Sequence, residues 1–336
     1  MKMTLNNKLF YFLVFDIMLL FLFSSFNLTN AQKMDKAPIK VGINFWVPNF
    51  LAFIAQEKGI FKKNGVNVNV TLIPNYADEL NAYSNGDLDG TFIVYSDAII
   101  QHSNGIDTKV VFNTDSSYKA DVIVGNGNNL SDVKGKRIGV DVINSFSHFF
   151  VLKSLEKVGL GEGDVQFVNV PVQNVTSALQ KGQIFAGHTF DPFVDDATKR
   201  GYKILSTSAD VPGIITGALV FHSDLVQQRP QDIQNIIKSM DEAKKDYDKN
   251  KVQDIEIMSQ KTGFSKDNIM QGLNKDQLLD LSFNVQKSFN RNLNQTTSLY
   301  KLGNEIEKFY AERGVISNYI DIDELLDADF VNALIK

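Results

Sequence analysis

The chain has 336 residues, of which 43% are hydrophobic and 22% charged, a composition typical of a globular protein large enough for two domains. Its formal net charge is −5, and its basic residues form no stripe along the sequence. Both features argue against binding to nucleic acid. The absence of cysteine excludes disulfides, thiolate metal sites, cysteine nucleophiles and a lipid-modified N-terminal cysteine. The four histidines fall in separate predicted elements without metal-site spacing, so we expect no metal and no cofactor.

The first 32 residues have the pattern of an export signal. Lys2 and Lys8 precede an apolar run over 9–26, and Ala31 offers a small residue for cleavage before Gln32. This order of basic, apolar and small residues predicts a secretory signal peptide. Because the run approaches the roughly 20 residues that span a bilayer, an uncleaved membrane anchor is the alternative. In both cases we expect an exported, extracytoplasmic protein that meets a membrane only through this segment.

A strand, a helix and a second strand follow the export signal. Apolar residues predict strands at 39–44 and 66–73, and apolar residues at helical spacing predict a helix at 50–58 that ends at Gly59. This unit is typical of a largely parallel sheet, whose ligands bind beyond the carboxyl ends of the strands. The loop 44–49 is therefore the first expected ligand contact.

The same alternation continues along the chain. The first α/β unit continues with helices at 76–85 and 98–103 and strands at 91–94, 109–112 and 121–124. The second unit has strands at 137–142, 165–170, 183–189, 202–205 and 214–221, a long helix from about 145 to 158, and helices at 175–181 and 193–199. After residue 223 the pattern predicts helices at 230–249, 252–261, 266–273 and about 296–313. The sequence thus predicts an α/β protein with two units and a helical C-terminal tail.

Six short motifs occur in order between residues 38 and 247. They are AQEKGIF at 55–61, GDLD at 86–89, DVKGKRIGV at 132–140, SHFFVL at 147–152, GQ at 182–183 with DPF at 191–193, and SADVPG at 208–213. In this combination the chain resembles the solute-binding proteins of the nitrate/sulfonate/taurine and thiamine-pyrimidine ABC importers. It differs at one motif, having Phe190-Asp191-Pro192 where that family usually has Trp-Glu-Pro.

The resemblance implies a fold and a role. The fold is the type II periplasmic-binding-protein architecture, in which two lobes are joined by two crossing strands and close on a ligand. The lobes would comprise residues 39–116 with 219–336, and residues 117–218. The role is the non-enzymatic, extracytoplasmic solute-binding component of an ABC importer, with a permease and an ATPase as partners. Closure would exclude water and create the form that the permease recognises.

The predicted strand ends give the candidate ligand-binding residues. These ends bring together the loops 44–49, 95–97, 114–117, 141–148, 189–193 and 214–216. The candidates on them are Asn44, Phe45, Trp46, Tyr95, Ser96, Asp97, Asp115, Ser145, Ser147, His148, Asp191 and Thr216. We expect Trp46, Asp97, Ser145 and Asp191 to line one shared cavity.

Several candidates have a structural alternative. Trp46, the single tryptophan, is either a platform for the ligand or a hydrophobic plug between sheet and helix. Asp97 is expected to be either a ligand contact or a plain helix cap. Asp191, which precedes Pro192, is either a ligand contact or a helix N-cap with no other role. Asp115 lies where the chain is expected to cross between the lobes, and a polar residue at that hinge would need no contact with a ligand. Ser145 and Ser147 are interpreted as caps whose free backbone amides face the cleft, and His148 as a residue one turn further in.

The charges of these loops restrict the ligand. Four aspartates, Asp97, Asp115, Asp141 and Asp191, occur in them, together with no lysine or arginine. A fully ionised anion would depend on helix N-termini, each worth only ~0.3–1 kcal/mol when exposed. We therefore expect a neutral, cationic or zwitterionic solute containing nitrogen or sulfur, such as an amino-pyrimidine or a taurine-like sulfonate. An amine would bind an aspartate, and a sulfonate the helix that begins near Ser145.

Two other functional classes remain open from the sequence. One is a sensor that presents its ligand to a membrane signalling partner. The other, less favoured, is an enzyme similar to the eukaryotic pyrimidine synthase of this fold, which uses a cysteine-rich motif that this chain lacks. No phosphate-binding glycine loop, serine-hydrolase elbow or kinase signature is present.

Overall fold

A computed structural model describes residues 36–317 and 319–335, so the predicted export signal at 1–32 lies outside the described residues. The described strands are β1 (Ile39–Ile43), β2 (Val68–Leu72), β3 (Gly90–Val94), β4 (Thr108–Ser117), β5 (Asp121–Gly125), β6 (Arg137–Val140), β7 (Gln166–Asn169), β8 (Ala186–Phe190), β9 (Lys203–Thr207), β10 (Thr216–His222) and β11 (Asp276–Leu278). They form two mixed sheets, in the orders β11-β4-β10-β3-β1-β2 and β7-β6-β8-β5-β9.

Strand direction within each sheet follows from the connections. β1 is parallel to β2 and β3, and β6 is parallel to β7 and β8, because a helix carries the chain back between them. β10 is antiparallel to both β3 and β4, and β5 is antiparallel to both β8 and β9. The amino end of β5 therefore lies at the same edge as the carboxyl end of β8, where Asp121 and Phe190 are paired.

The chain passes between the two sheets twice. It leaves β4 for β5 through residues 118–120, and it returns from β9 to β10. β4 and β10 are neighbours in the first sheet, with Ser116 paired to Thr216. We call the first sheet and its helices the first lobe, and the second sheet and its helices the second lobe. This arrangement confirms the expected fold of two α/β lobes joined by two crossing segments.

Helices cover both sheets and form the tail. Those of the first lobe before the crossing are α1 (Leu51–Glu57), α2 (Ile60–Lys63), α3 (Tyr76–Ser84) and α4 (Tyr95–Ser103). The second lobe contains α5 (Phe146–Lys157), α6 (Val175–Gln180) and α7 (Phe193–Lys199). The tail contains α8 (Ser223–Gln228), α9 (Pro230–Thr262), α10 (Lys266–Asn274), α11 (Leu281–Phe283), α12 (Leu299–Glu312), α13 (Ile322–Leu325) and α14 (Asp329–Ala333), and it packs on the first lobe.

Three local features differ from the sequence-based expectation. α4 begins at Tyr95, so Ser96 and Asp97 lie inside its first turn and Val94 occupies the N-cap position. The helices expected at 230–249 and 252–261 are one element, α9, in which Asn250 alone has non-helical backbone angles. The segment 276–288 adds the edge strand β11, α11 and a π-helical turn that apolar spacing did not indicate.

The hydrophobic core follows the buried strands and the inner faces of the helices. Ile39, Ile43, Val110, Ile123 and Leu219 are fully buried, as continuous apolar strands between helical layers require. Within the residues that the structure describes, no helix is long and apolar enough to cross a membrane.

Candidate functional site

A cavity lies between the two lobes at the edge where the strand ends meet. It is enclosed by Asn44, Trp46, Asn49, Tyr76, Phe92, Ile93, Val94, Asp115, Asp121, Phe146, Phe190, Ile215 and Gly217. The walls are mainly aromatic and aliphatic. The volume of the cavity is about 30 Å³. The lobes therefore lie in a closed arrangement with room between them for about one water molecule, and a solute would have to move these walls apart.

Trp46 and Asp115 form one wall of this cavity. The indole Nε1–H of Trp46 donates to Oδ2 of Asp115 at 2.8 Å, and the hydroxyl of Thr114 donates to Oδ1 at 2.7 Å. The Trp46 ring meets the Phe190 ring of the second lobe edge-on, with centroids 5.0 Å apart. Burial raises the pKa of Asp115 to about 6, although these two donors act in the opposite direction.

Gly217 provides the space that the Asp115 carboxylate occupies. The two residues are paired across β4 and β10, and a Cβ atom at position 217 would lie 2.1 Å from Oδ1 of Asp115. No side chain fits there without displacing the carboxylate. Glycine at this position is therefore required by a close approach between neighbouring strands.

A buried glutamic acid orients the loop after β1. Glu79 accepts hydrogen bonds from the Asn44 amide at 2.7 Å and from the Thr91 hydroxyl at 2.6 Å. Asn44 in turn accepts the backbone N–H of Trp46 through its side-chain oxygen. Burial raises the pKa of Glu79 to about 8, so this residue is largely neutral at pH 7. Glu79 therefore positions Asn44 and Trp46 without adding a full charge near the cavity.

Asp121, His188 and Ser147 form a buried chain of hydrogen bonds in the second lobe. Nε2 of His188 lies 2.8 Å from Oδ1 of Asp121, and Nδ1 lies 2.8 Å from Oγ of Ser147. All three side chains are fully buried, and Oγ of Ser147 also accepts the backbone N–H of Asp141. The residue types match a hydrolase triad, but the serine is packed inside the lobe, where no substrate carbonyl can reach it.

Asp97 connects the two lobes behind the cavity. Its Oδ2 accepts the Tyr76 hydroxyl at 2.7 Å, and its Oδ1 accepts the backbone N–H of Phe146 at 2.8 Å. Phe146 is the first residue of α5, so a carboxylate of the first lobe caps a helix of the second. Burial raises the pKa of Asp97 to about 7. The expectation that Asp97 caps its own helix is wrong, because its side chain is used across the cleft.

Three of the twelve candidate residues line the cavity, namely Asn44, Trp46 and Asp115. The expectation that Trp46, Asp97, Ser145 and Asp191 share it is not met. Ser145 caps α5 beside a separate surface groove that also touches Asp97, and Asp191 forms an ion pair with Lys275, with Oδ2 and Nζ 2.6 Å apart. Both bond inside the protein instead of facing the cavity.

The remaining candidates are also held within the fold. Phe45 packs against Phe193 and Phe264, with the latter centroids 4.8 Å away, and Tyr95 donates its hydroxyl to the Leu299 carbonyl. Ser96 is fully buried in α4, and the Thr216 hydroxyl donates to Asn113 and to the Asp115 carbonyl. Ser147 belongs to the buried chain with His188, and His148 accepts the backbone N–H of Asn144 through Nδ1. Burial lowers the pKa of His148.

Sequence reasoning missed the residues that the second lobe contributes to the cavity wall. Phe146 and Phe190 each adjoin a candidate, but a buried phenylalanine next to a polar residue is an ordinary core feature. Asp121 was missed because the amino end of its strand was not among the strand ends considered, whereas β5 is antiparallel to β8 and brings that end to the same edge. Tyr76 was missed because the loop between β2 and α3, which leads to it, was not among the strand ends considered. Among the described residues, no group of three or more histidine or acidic side chains is placed to hold a metal ion.

Comparison with known proteins agrees with this architecture. A model of the NMT1-like family matches residues 32–259, more than half of the chain. This chain belongs to the NMT1-like family. The NMT1-like protein is 26% identical over 249 residues to a Brucella abortus (strain 2308) protein named only as a binding protein, covering 72% of this chain and 77% of that one. It is 29% identical over 119 residues to the taurine-binding periplasmic protein of Escherichia coli, covering 34% and 37%.

Solved structures confirm the fold of the NMT1-like protein. The alkanesulfonate-binding protein SsuA from Xanthomonas axonopodis pv. citri, bound to MOPS, superposes with a TM-score of 0.71 at 15% identity, covering 87% of this chain and 99% of that one. The desulfurization enzyme DSZB superposes with a TM-score of 0.65 at 14% identity, covering 89% and 99%. Both confirm the periplasmic-binding-protein fold and, at these identities, the fold alone.

Proposed function

We propose that this NMT1-like protein is the extracytoplasmic solute-binding component of an ABC importer. The observation that carries the proposal is the closed, aromatic cavity whose walls come from both lobes. Trp46, Tyr76 and Asp115 come from the first lobe, whereas Asp121, Phe146 and Phe190 come from the second. A solute held there would contact both lobes at once, so its binding energy would favour closure.

The closed arrangement explains how such a protein would signal occupancy. Asp97 of the first lobe accepts the first backbone N–H of α5, and the Trp46 and Phe190 rings meet across the cleft. Both contacts require the lobes to be together. A permease that recognises the closed surface would thereby distinguish the loaded protein from an open one.

The solute in this proposal is a small organic molecule that contains nitrogen or sulfur. Taurine-like sulfonates and amino-pyrimidines are the classes that the sequence raised, and a solute of either class that moved the cavity walls apart would contact aromatic side chains of both lobes. Export of the protein through the segment 1–32, and partnership with a permease and an ATPase, belong to the same proposal. They agree with the periplasmic origin of its taurine-binding relative.

An enzyme is the second candidate, favoured by the fold shared with the desulfurization enzyme DSZB. The chain of Asp121, His188 and Ser147 is the arrangement among the described residues that most resembles a catalytic one. Its serine is fully buried and bonded to the Asp141 amide. This packing supports a structural role for the chain and a binding function for the protein.

A ligand screen with a chemical readout tests the function. The purified full chain would be scanned by thermal shift against taurine, alkanesulfonates, nitrate, urea, amino-pyrimidines and small amines. We expect one class to raise the melting temperature by mass action and to be recovered unchanged by mass spectrometry. Chemical conversion of the bound compound would overturn the binding function in favour of an enzyme. If no class of compound raised the melting temperature, both candidate functions would be contradicted.

A further inference from the structure

One carboxylate oxygen in the cavity wall has no partner. Asp121 is fully buried and lines the cavity, and its Oδ1 lies near Nε2 of His188. Its Oδ2 has no hydrogen-bond partner among the described residues. A buried carboxylate oxygen without a donor is costly, and native proteins satisfy nearly all such atoms. A donor from a molecule bound in the cavity would satisfy this oxygen.

His188 orients the Asp121 carboxylate from inside the second lobe. Its Nε2 lies 2.8 Å from Oδ1 of Asp121, and its Nδ1 lies 2.8 Å from Oγ of Ser147, which also accepts the backbone N–H of Asp141. In the neutral tautomer that donates from Nε2 and accepts the serine hydroxyl at Nδ1, His188 supplies no cation to this site.

Asp115 brings a second carboxylate to the same cavity. Each of its oxygens accepts one hydrogen bond from a neutral donor, the Trp46 indole or the Thr114 hydroxyl. Burial, and to a lesser extent the nearby Asp121, raises the pKa of Asp115 above its usual value. Lys275 is ion-paired with Asp191 and is not among the residues of the wall. None of the described residues that enclose the cavity is basic.

The remaining wall is suited to a positive charge. Trp46, Tyr76, Phe146 and Phe190 surround the two carboxylates with aromatic rings. Trp46 and Phe190 meet edge-on, as do Tyr76 and Phe146 with centroids 5.2 Å apart. Aromatic faces attract cations, and a cation that has lost its water benefits most.

We propose that the solute is a compact organic cation whose ammonium or amidinium group binds Oδ2 of Asp121 beside Asp115, while its body lies among the four aromatic rings. This inference rests on the proposed binding function and narrows the solute classes named for it. It disfavours sulfonates and other anions, because they would face two carboxylates and no basic residue of the wall. The inference concerns the charge of the solute, so the test compares solutes of the same shape that differ in charge.

The test uses two series of probes with matched shapes. Acetamidinium, acetamide and acetate have the same size, as do benzamidinium, benzamide and benzoate, and each series runs from cation to neutral to anion. Dissociation constants for the full chain would be measured by calorimetry at about pH 7.5, where amidines are protonated. We expect the amidinium of at least one series to bind about tenfold or more tightly than its amide, and the carboxylates not to bind.

Two variants test whether the cavity causes this order of affinities among amidinium, amide and carboxylate. In Asp121→Asn, the preference for the amidinium over the amide should fall about tenfold, while the affinity for the amide changes little. The control is Asp141→Asn, which removes another buried carboxylate of the second lobe that lies outside the cavity wall. It should retain the wild-type preference. If Asp121→Asn does not fold, as judged by circular dichroism, Asp115→Asn replaces it with the same expectation.

The outcomes separate the two proposals. Equal affinity within a series, a preference for the carboxylate, or no amidinium binding up to about 10 mM overturns the inference on charge. If a sulfonate or another solute of the thermal-shift screen still binds unchanged, the binding function stands and only the charge is wrong. If no solute of any charge binds, both proposals fail.

Discussion

The carboxyl of Asp97 predicts a specific dependence of stability on pH. It is buried between Tyr76 of α3 and the amino end of α5, and its neighbours also include the Asp141 carboxyl and Tyr310 of α12. Burial raises its pKa from 3.8 to about 7 in the folded state. A folded-state pKa above the unfolded value means that the folded protein retains a proton that the unfolded chain releases. The free energy of unfolding should therefore fall as the pH rises from about 4 to about 7.

The size of this effect follows from the shift in pKa. Between about pH 5 and about pH 8, the folded protein holds the proton of Asp97 over roughly two pH units in which the unfolded chain has lost it. Each unit corresponds to about 1.4 kcal/mol, so Asp97 should cost about 3 kcal/mol of stability across this interval. Asp97→Asn keeps an oxygen that can accept the Phe146 N–H but cannot titrate. We expect it to be more stable than wild type by about 1.5 kcal/mol at about pH 5 and by about 4 kcal/mol at about pH 8, a difference between the two pH values of about 3 kcal/mol.

Urea denaturation of both proteins over this pH interval measures the effect. Glu79, Asp115 and Asp141 are also buried with raised pKa values, so the relevant quantity is the difference between wild type and variant at each pH. Asp78→Asn on the exposed side of α3 controls for the loss of one carboxylate in general. A difference between wild type and Asp97→Asn that stays constant from pH 5 to pH 8 would refute the reasoning.

Three further substitutions test the geometry of the site. Trp46→Ala should weaken solute binding far more than it lowers the melting temperature, because it removes a wall and a donor to Asp115; the reverse pattern would make Trp46 a core residue. Gly217→Ala should abolish binding and lower the free energy of unfolding by about 2 kcal/mol, because its Cβ displaces the Asp115 carboxylate; unchanged calorimetric affinity would contradict this. Lys275→Met should cost about 2 kcal/mol in urea denaturation by leaving Asp191 buried without a cation, and adding Asp191→Asn should recover most of it. An additive double variant would show that the pair is not coupled.

The fold could be predicted because its signals are local. The apolar strand before Asn44, the helical spacing that ends at Gly59, and the next apolar strand each depend on neighbours a few residues away, and the structure has all three. The kink of α9 at Asn250 lies in the gap between two predicted helices. The start of α4 was predicted wrongly because aspartate is a common helix-capping residue, and Asp97 was taken to cap its own helix. The sequence alone does not reveal that the Asp97 carboxyl instead accepts a backbone N–H from a helix of the other lobe.

The site could be predicted only where its residues lie at strand ends of the first lobe. Asn44, Trp46 and Asp115 were identified because each lies at a strand end, and the contacts of Trp46 with Asp115 are made within the first lobe. The other wall depends on how the second lobe is oriented when the cleft is closed. That orientation brings Phe190 to Trp46, a relation for which the sequence contains no local signal.

The positions of the charges and of the rings imply an order of events in binding. Asp115 near the carboxyl end of β4 and Asp121 at the start of β5 flank the crossing segment 118–120, so rotation of the lobes about that segment would change their separation little. The pairs Trp46 with Phe190, and Tyr76 with Phe146, join different lobes, so their rings meet only on closure. A cation could therefore reach the carboxylates while the cleft is open, and its aromatic enclosure would follow. Charge would then decide which solutes enter, and shape which of them permit the lobes to close.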